Sequence, residues 1–219
     1  MQGENHEFFN LLKKGSRAEI EAALADDPGL ASARDPGGAS AVLTAIYYGR
    51  PEIAALLIER GATLSLFEAS AAGRAAAVLE ILDGAPQQVN SWSPDGFQPL
   101  GLASFFGHTE LAKILLERGA EVSANSRNPL NVQPLHSAVA GQHLEIARLL
   151  LEHGANPNAR QGEGFTPLHG AAQNGQVEMN RLLLEHAADP KIANTAGELP
   201  AAYAQGAQAD EITRLLGSR

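Results

Sequence analysis

The sequence predicts an all-α chain built from stacked helix–turn–helix pairs, and three observations carry that expectation. Four prolines, Pro99, Pro134, Pro167 and Pro200, stand 35, 33 and 33 residues apart, and each opens a stretch of the same character. Segments such as LEIARLLLEH keep a helical apolar spacing and stop at a glycine, Gly119 or Gly154, where a residue able to take φ > 0 ends the helix. Alanine is abundant while aromatics make up only 5% of the chain, which favours helices that pack closely.

The best-preserved copies lie in the second half: FQPLGLASFFGHTELAKILLERGAEV from residue 97, VQPLHSAVAGQHLEIARLLLEHGANP from 132 and FTPLHGAAQNGQVEMNRLLLEHAADP from 165. In each, proline sits in the first helical turn, where its missing N–H costs nothing. A helix of small residues follows, then glycine or a polar break, then a second, amphipathic helix. A polar stretch with Asn, Asp, Gly and Pro leads onward. Weaker copies precede and follow these. HEFFNLLKKGSRAEIEAALADDP (6–28) reads as a first pair, ASAVLTAIYYGRPEIAALLIERGA (39–62) as a second and LSLFEASAAGRAAAVLEILDGA (64–85) as a third. GELPAAYAQGAQADEITRLLGSR (197–219) reads as the last, giving seven pairs in all. Their approximate bounds are 5–34, 35–61, 62–93, 94–127, 128–160, 161–193 and 194–219, within a single domain 1–219. The terminal copies carry more polar faces, as units without an outer neighbour should.

These residues resemble the ankyrin-repeat family. Thr166-Pro167-Leu168-His169 is that family's signature tetrapeptide, Gln133-Pro134-Leu135-His136 is a near match, and Ser40-Ala41-Val42-Leu43 is a degraded one. The family's second-helix pattern appears as ILLERGAEVSA (114–124) and LLLEHGANPNA (149–159). With the weaker copies, the resemblance spans almost the whole chain. It implies an ankyrin-repeat solenoid of helix pairs with protruding β-turn fingers and a concave recognition face. For His136 and His169 it implies hydrogen bonds that tie adjacent units together.

Two departures from the period are informative. The connection from Gly119 to Pro134 is two residues longer than that from Gly154 to Pro167, so the finger holding SANSRNPLNVQ is extended. After Gly61, only three residues precede Ser65, which occupies the proline position, so the turn at the second junction should be absent. The third unit is rich in small residues (Ala69, Ala71, Ala72, Ala75, Ala76 and Ala77), which fits a notch in the row of fingers; a neutral deletion is the alternative.

Composition excludes several function classes. A net charge of −9 and a pI near 5.2 oppose an electrostatic grip on nucleic acid. With no cysteine there is no disulfide, thiolate metal site or cysteine nucleophile. The N-terminus lacks the apolar run of a signal peptide, and no stretch approaches the ~18 apolar residues that span a bilayer. The expectation is a soluble, cytoplasmic chain without membrane contact. His108 and His143 open second helices, His153 and His186 close them, and His6 lies in the N-terminal unit; no pair has the helical zinc spacing with an acid. Asp26-Asp27 lies at a helix end, where it caps or is solvated. There is no Walker-type, dinucleotide-binding or nucleophile-elbow motif, and neither catalysis nor a cofactor or metal is called for.

The expected function is therefore binding of another protein, as scaffold or inhibitor. Family resemblance places the two residues before the first-helix glycine, together with the finger tips, on the recognition face. Carried over residue by residue, these are Tyr47 and Tyr48, Ala71 and Ala72, Phe105 and Phe106, Ala140 and Gly141, and Gln173 and Asn174. The finger tips add Trp92, Asp95 and Phe97, then Arg127 and Asn128, then Gln161 and Glu163. In the fifth unit Gly141 comes one place early and Gln142 holds the usual glycine position. Of the chain's eleven aromatics, six fall at these positions, and aromatics dominate interface hot spots. Packing between neighbouring fingers is the competing role for those rings. The acidic balance suits a partner with basic groups, or simply aids solubility. The different-class alternative is an enzyme or small-molecule binder using the notch near Tyr47 and Tyr48. A monomer is expected, with weak self-association through an incompletely capped end as the other case.

Overall fold

The computed structural model describes residues 2–217, with side chains from residue 6 onward, and divides into two compact units, Met1–Ala85 and Pro86–Arg219. Residues 1, 218 and 219, which belong to the expected single domain, lie outside the described residues. Among the described residues the chain is all-α: thirteen α-helices and four 3₁₀ turns, with no strand beyond one isolated bridge between Arg34 and Ser40.

The first unit holds α1 (Gln2–Lys14), α2 (Arg17–Asp26), α3 (Ala41–Tyr47), α4 (Pro51–Glu59), α5 (Leu66–Ala71) and α6 (Ala75–Gly84). Its core is aliphatic with one aromatic pair: Phe8, Phe9 and Leu12 from α1, Ile20 and Leu24 from α2, then Ile53, Leu56, Leu57, Leu66, Val78 and Leu82. Local chemistry sets the boundaries. Ser16 and Glu19 form a capping box that starts α2, the Glu19 carboxylate accepting from Ser16 N–H at 2.7 Å. The Arg50 guanidinium donates to the carbonyls of Leu11 and Leu12, both at 3.0 Å, and so satisfies the end of α1.

The shortened junction is as the spacing predicts. Helix α4 ends at Glu59 and α5 begins at Leu66, and residues 62–65 run directly into the Ser65 cap without a turn. Electrostatics hold the place. Glu68, only 1% exposed, accepts from Ser65 N–H at 2.6 Å and from the Arg34 guanidinium at 3.0 Å. Burial pushes its carboxyl up, but hydrogen bonds from Ser65 and Ser40 and the Arg34 charge outweigh that and hold it below the ordinary value. The polar groups of this junction are thus engaged with one another.

The second unit holds α7 (Pro99–Phe105), α8 (Thr109–Glu117), α9 (Pro134–Ala140), α10 (Leu144–Glu152), α11 (Pro167–Gln173), α12 (Val177–Glu185) and α13 (Ala209–Gly217). Proline opens α7, α9 and α11 as expected. Buried Leu100, Leu111, Leu115, Leu135, Ile146, Leu150, Leu168, Leu183 and Ile212 form its core. Asn90 and Asn158 each bridge to the end of the following second helix. Asn158 donates to Ala187 O at 3.1 Å and accepts from Asp189 N at 2.7 Å, and Asn90 does the same with Gly119 and Glu121.

The last helix pair departs from expectation. Its first member is only a 3₁₀ turn, Pro200–Tyr203, and Ala204 leaves helical geometry at ψ 120. Tyr203 is held by the preceding finger instead: its hydroxyl bonds Asn194 (2.9 Å) and the Glu198 carboxylate, and its ring packs edge-on to Phe165 at 4.9 Å. That anchoring turns the chain before a second helical turn can form.

Helix ends show where glycine matters. Second helices close at Gly119 and Gly154, both at φ +87, but α12 closes at Ala187, held at φ +65 with Ala188 N–H bonded to Leu183 O at 2.9 Å. An alanine there carries left-handed strain of about 1–2 kcal/mol, partly offset by its lower unfolded-state entropy. Ala187→Gly is expected to stabilise the unit by about 1 kcal/mol, read as a higher urea midpoint with unchanged m-value.

Candidate functional site

The fingers of the second unit form one hydrogen-bonded series. Tight turns close between Ser93 and Phe97, Ser126 and Val132, Gln161 and Phe165, and Asn194 and Glu198, each by an N–H to carbonyl bond of 2.8–2.9 Å. Serine or asparagine side chains accept from backbone N–H groups inside three of them. Adjacent fingers are joined through the backbone: Arg127 N–H to Gly96 O at 2.8 Å, Gly162 N–H to Leu130 O at 2.7 Å, and Thr195 N–H to Glu163 O at 2.9 Å. The two extra residues of the Ser126–Val132 finger lie in its tip, where Asn131 takes φ +51.

Among the finger candidates, Trp92 is half-buried, with the Arg127 guanidinium 3.5 Å above its ring centre and its N–H directed at Asn125 O (3.4 Å). Asn128 is structural: its carbonyl accepts from the Ser126 hydroxyl and Leu130 N–H, and its amide donates to Asp95 O at 2.9 Å. Asp95 is exposed and bonded to the Ser93 hydroxyl. Phe97 and Gln161 are half-buried, while Glu163 is exposed at φ +60. Trp92, Asp95, Arg127 and Asn128 are therefore brought together on two neighbouring fingers.

At the first-helix ends, exposure separates the candidates. Tyr47 and Tyr48 in the first unit are 46% and 55% exposed, with Lys13 Nζ 5.4 Å from the Tyr48 ring centre. In the second unit Phe105 is 44% exposed, whereas Phe106 is half-buried and meets Phe105 edge-to-face at 5.0 Å. Gln173 and Asn174 are exposed, Ala140 is exposed and Gly141 half-buried. Ala71, placed on the recognition face by family position, is instead buried in the core, and Ala72 is half-buried. Leu130, at the tip of the extended finger, is 58% exposed and was not among the sequence candidates; the two-residue extension was its only signal.

The signature histidines make the predicted kind of bond. His169 accepts at Nδ1 from Thr166 N–H (3.1 Å), and its Nε2 donates to Glu198 O (3.1 Å) on the next finger. His136 accepts from Gln133 N–H at 3.3 Å and donates to Ala159 O at 3.1 Å, on the connection leading out of its own unit. Burial lowers His136 to about 4, against the hydrogen bonds of Ala159 and Phe165, and likewise lowers His169. Both are neutral structural pins. Among the described residues, no group of three or more His, Asp and Glu could hold a metal ion, and no helix is long and apolar enough to cross a membrane. A recess of about 330 Å³ lies at the starts of α10 and α12, lined by Gln142, Gln176 and Gln208 with Leu144, Val177 and Met179.

A family model of ankyrin repeats, three copies to the model, matches residues 66–161 and 122–194, together more than half of the chain. The chain belongs to the ankyrin-repeat family. Its all-α architecture of ankyrin helix pairs and fingers is the one the residues predicted. No curated protein matches the chain. Ankyrin repeats generally mediate protein–protein interaction, and this ankyrin chain offers exposed aromatics and a rigid finger row suited to it.

Proposed function

We propose that the whole chain acts as a single, non-catalytic ankyrin-repeat domain, monomeric and cytoplasmic, that binds a partner protein as scaffold or inhibitor. Binding runs through its first-helix ends and finger tips. The supporting observation is that Tyr47 and Phe105, the last residues of α3 and α7, and Tyr48, which follows α3, remain about half exposed. Rings in a core would be covered, and exposed aromatics with few rotatable bonds gain much area for little entropy on association. The acidic chain and the absence of a cofactor-binding motif point the same way.

Capture from a lysate of the source cells with wild-type, Tyr48→Ala and Phe105→Ala proteins, followed by mass spectrometry, tests this. A specific protein should be retained by wild type and bind the variants at least about tenfold more weakly, with melting temperatures within about 2 °C. Variants that bind as wild type does, or lose binding only by unfolding, would assign the rings to packing.

A further inference from the structure

We propose that the finger spanning residues 126–132 recognises an acidic side chain of the partner, an aspartate or glutamate beside an apolar residue; the proposal rests on the protein-binding function above and names its chemistry. Arg127 is exposed, and among the described residues no carboxylate pairs with it. Its guanidinium face lies on the Trp92 ring at 3.5 Å. Stacking uses the face of the plane and fixes its orientation, leaving the N–H edge for a carboxylate, which it can bind by two parallel hydrogen bonds.

The tip is also rigid. Backbone bonds hold it on both sides, Arg127 N–H to Gly96 O and Leu130 O from Gly162 N–H. Gly96 is needed for the close approach, since a Cβ there would lie 2.8 Å from the Arg127 carbonyl carbon; one at Gly162 would make a tight contact of 3.1 Å with Pro129 O. Order that exists before binding need not be created during it. Three residues from Arg127, Leu130 is the most exposed of the large hydrophobics and supplies the apolar half of the site.

Neighbouring charges choose among anions. Asp95 on the preceding finger, bonded to Ser93, and Glu163 on the following one flank the tip. They disfavour a polyanion such as nucleic acid, while a single carboxylate meets one guanidinium with tolerable repulsion.

Selection of random twelve-residue peptides on phage against the whole protein tests this, with the leading peptide measured by fluorescence of Trp92, the chain's single tryptophan. The selected peptides should share Asp or Glu within two positions of Leu, Ile or Phe. Arg127→Gln should weaken binding about tenfold or more, with Arg127→Lys intermediate because it keeps the charge but loses the fork. Changing the peptide's acid to its amide should weaken binding of wild-type protein about as much, a control independent of how any variant folds. Peptides without an acid, no selected peptide, or binding within about twofold for Arg127→Gln would overturn the proposal. Peptides that depend on Tyr48 or Phe105 but not Arg127 would overturn it while leaving the protein-binding function standing.

Discussion

Lowering the pH from about 7 to about 4 is expected to remove roughly 3 kcal/mol of stability from the Pro86–Arg219 unit through His136 alone. The folded imidazole titrates at about 4 against an ordinary 6.5, because burial disfavours its charged form. The unfolded chain therefore binds the proton first. Stability is complete above 6.5, falls as the pH drops through that value, and levels off once the folded group also protonates near 4. The geometry explains why the folded side resists: Nδ1 already accepts Gln133 N–H, so a proton there breaks the cap of α9. His169, lowered by burial and bonded alike through Thr166, acts in the same direction. Glu198 is held below its ordinary value by Tyr203 and Asn194, so it responds only further down, and the window between about 6.5 and 4.5 belongs to the histidines. Urea unfolding followed at Trp92 should show a fall of about 1.4 kcal/mol per pH unit for His136 below pH ~6, with His169 adding in the same direction. His136→Asn should be less stable at neutral pH and lose one group's share of that slope. An NMR titration of the folded His136 ring near 6.5, or an unchanged slope in the variant, would overturn the account.

Much of the fold was legible because independent local signals agree at each unit. Proline at the first turn, glycine at the helix end and a helical apolar spacing all point to one arrangement, and Pro99, Pro134 and Pro167 open helices for that reason. The last unit carries one local sign of a shorter element: Gly206, at φ +77, stands six residues after Pro200, where Gly107 and Gly175 stand eight after Pro99 and Pro167. The rest is long-range, the packing of Tyr203 on Phe165, thirty-eight residues upstream, and its bond to Asn194. Long-range pairs hid part of the site in the same way. That Arg127 covers Trp92, and that Arg34 neutralises buried Glu68, cannot be read from residues more than thirty positions apart. Position before the first-helix turn did pick out Tyr47, Tyr48 and Phe105 as candidates. It could not rank Phe105 over Phe106, because adjacent residues on a helix diverge by roughly 100° and the packing decides which one leaves the surface.

Gly141→Ala is expected to destabilise the second unit by about 3 kcal/mol, and the cause is a collision rather than a dihedral angle. Gly141 has an ordinary helical conformation, φ −76 and ψ −5. A Cβ built on it would sit 2.3 Å from the backbone oxygen of Phe105 and 2.6 Å from the His143 ring. The ring can swing away; the carbonyl ends α7 and cannot. The same oxygen meets His143 Nε2 at 3.0 Å, so relieving the clash also removes that hydrogen bond between neighbouring repeats. The approach accounts for the displaced glycine of this unit. The small residue is required where α9 meets α7, and Gln142 is left to take the left-handed position at φ +63 that Gly107 and Gly175 fill in the flanking units. Gly101→Ala is the control of opposite sign. Gly101 lies inside α7, and its Cβ would meet only the Ser137 hydroxyl at 3.9 Å, an ordinary contact, so alanine should stabilise by about 0.5–1 kcal/mol through helix propensity. Urea midpoints at neutral pH, read at Trp92, should move in opposite directions for the two variants. Equal and small shifts would mean that the Phe105 carbonyl and α9 separate freely, and the close packing that positions Phe105 beside its neighbour would then have no energetic basis.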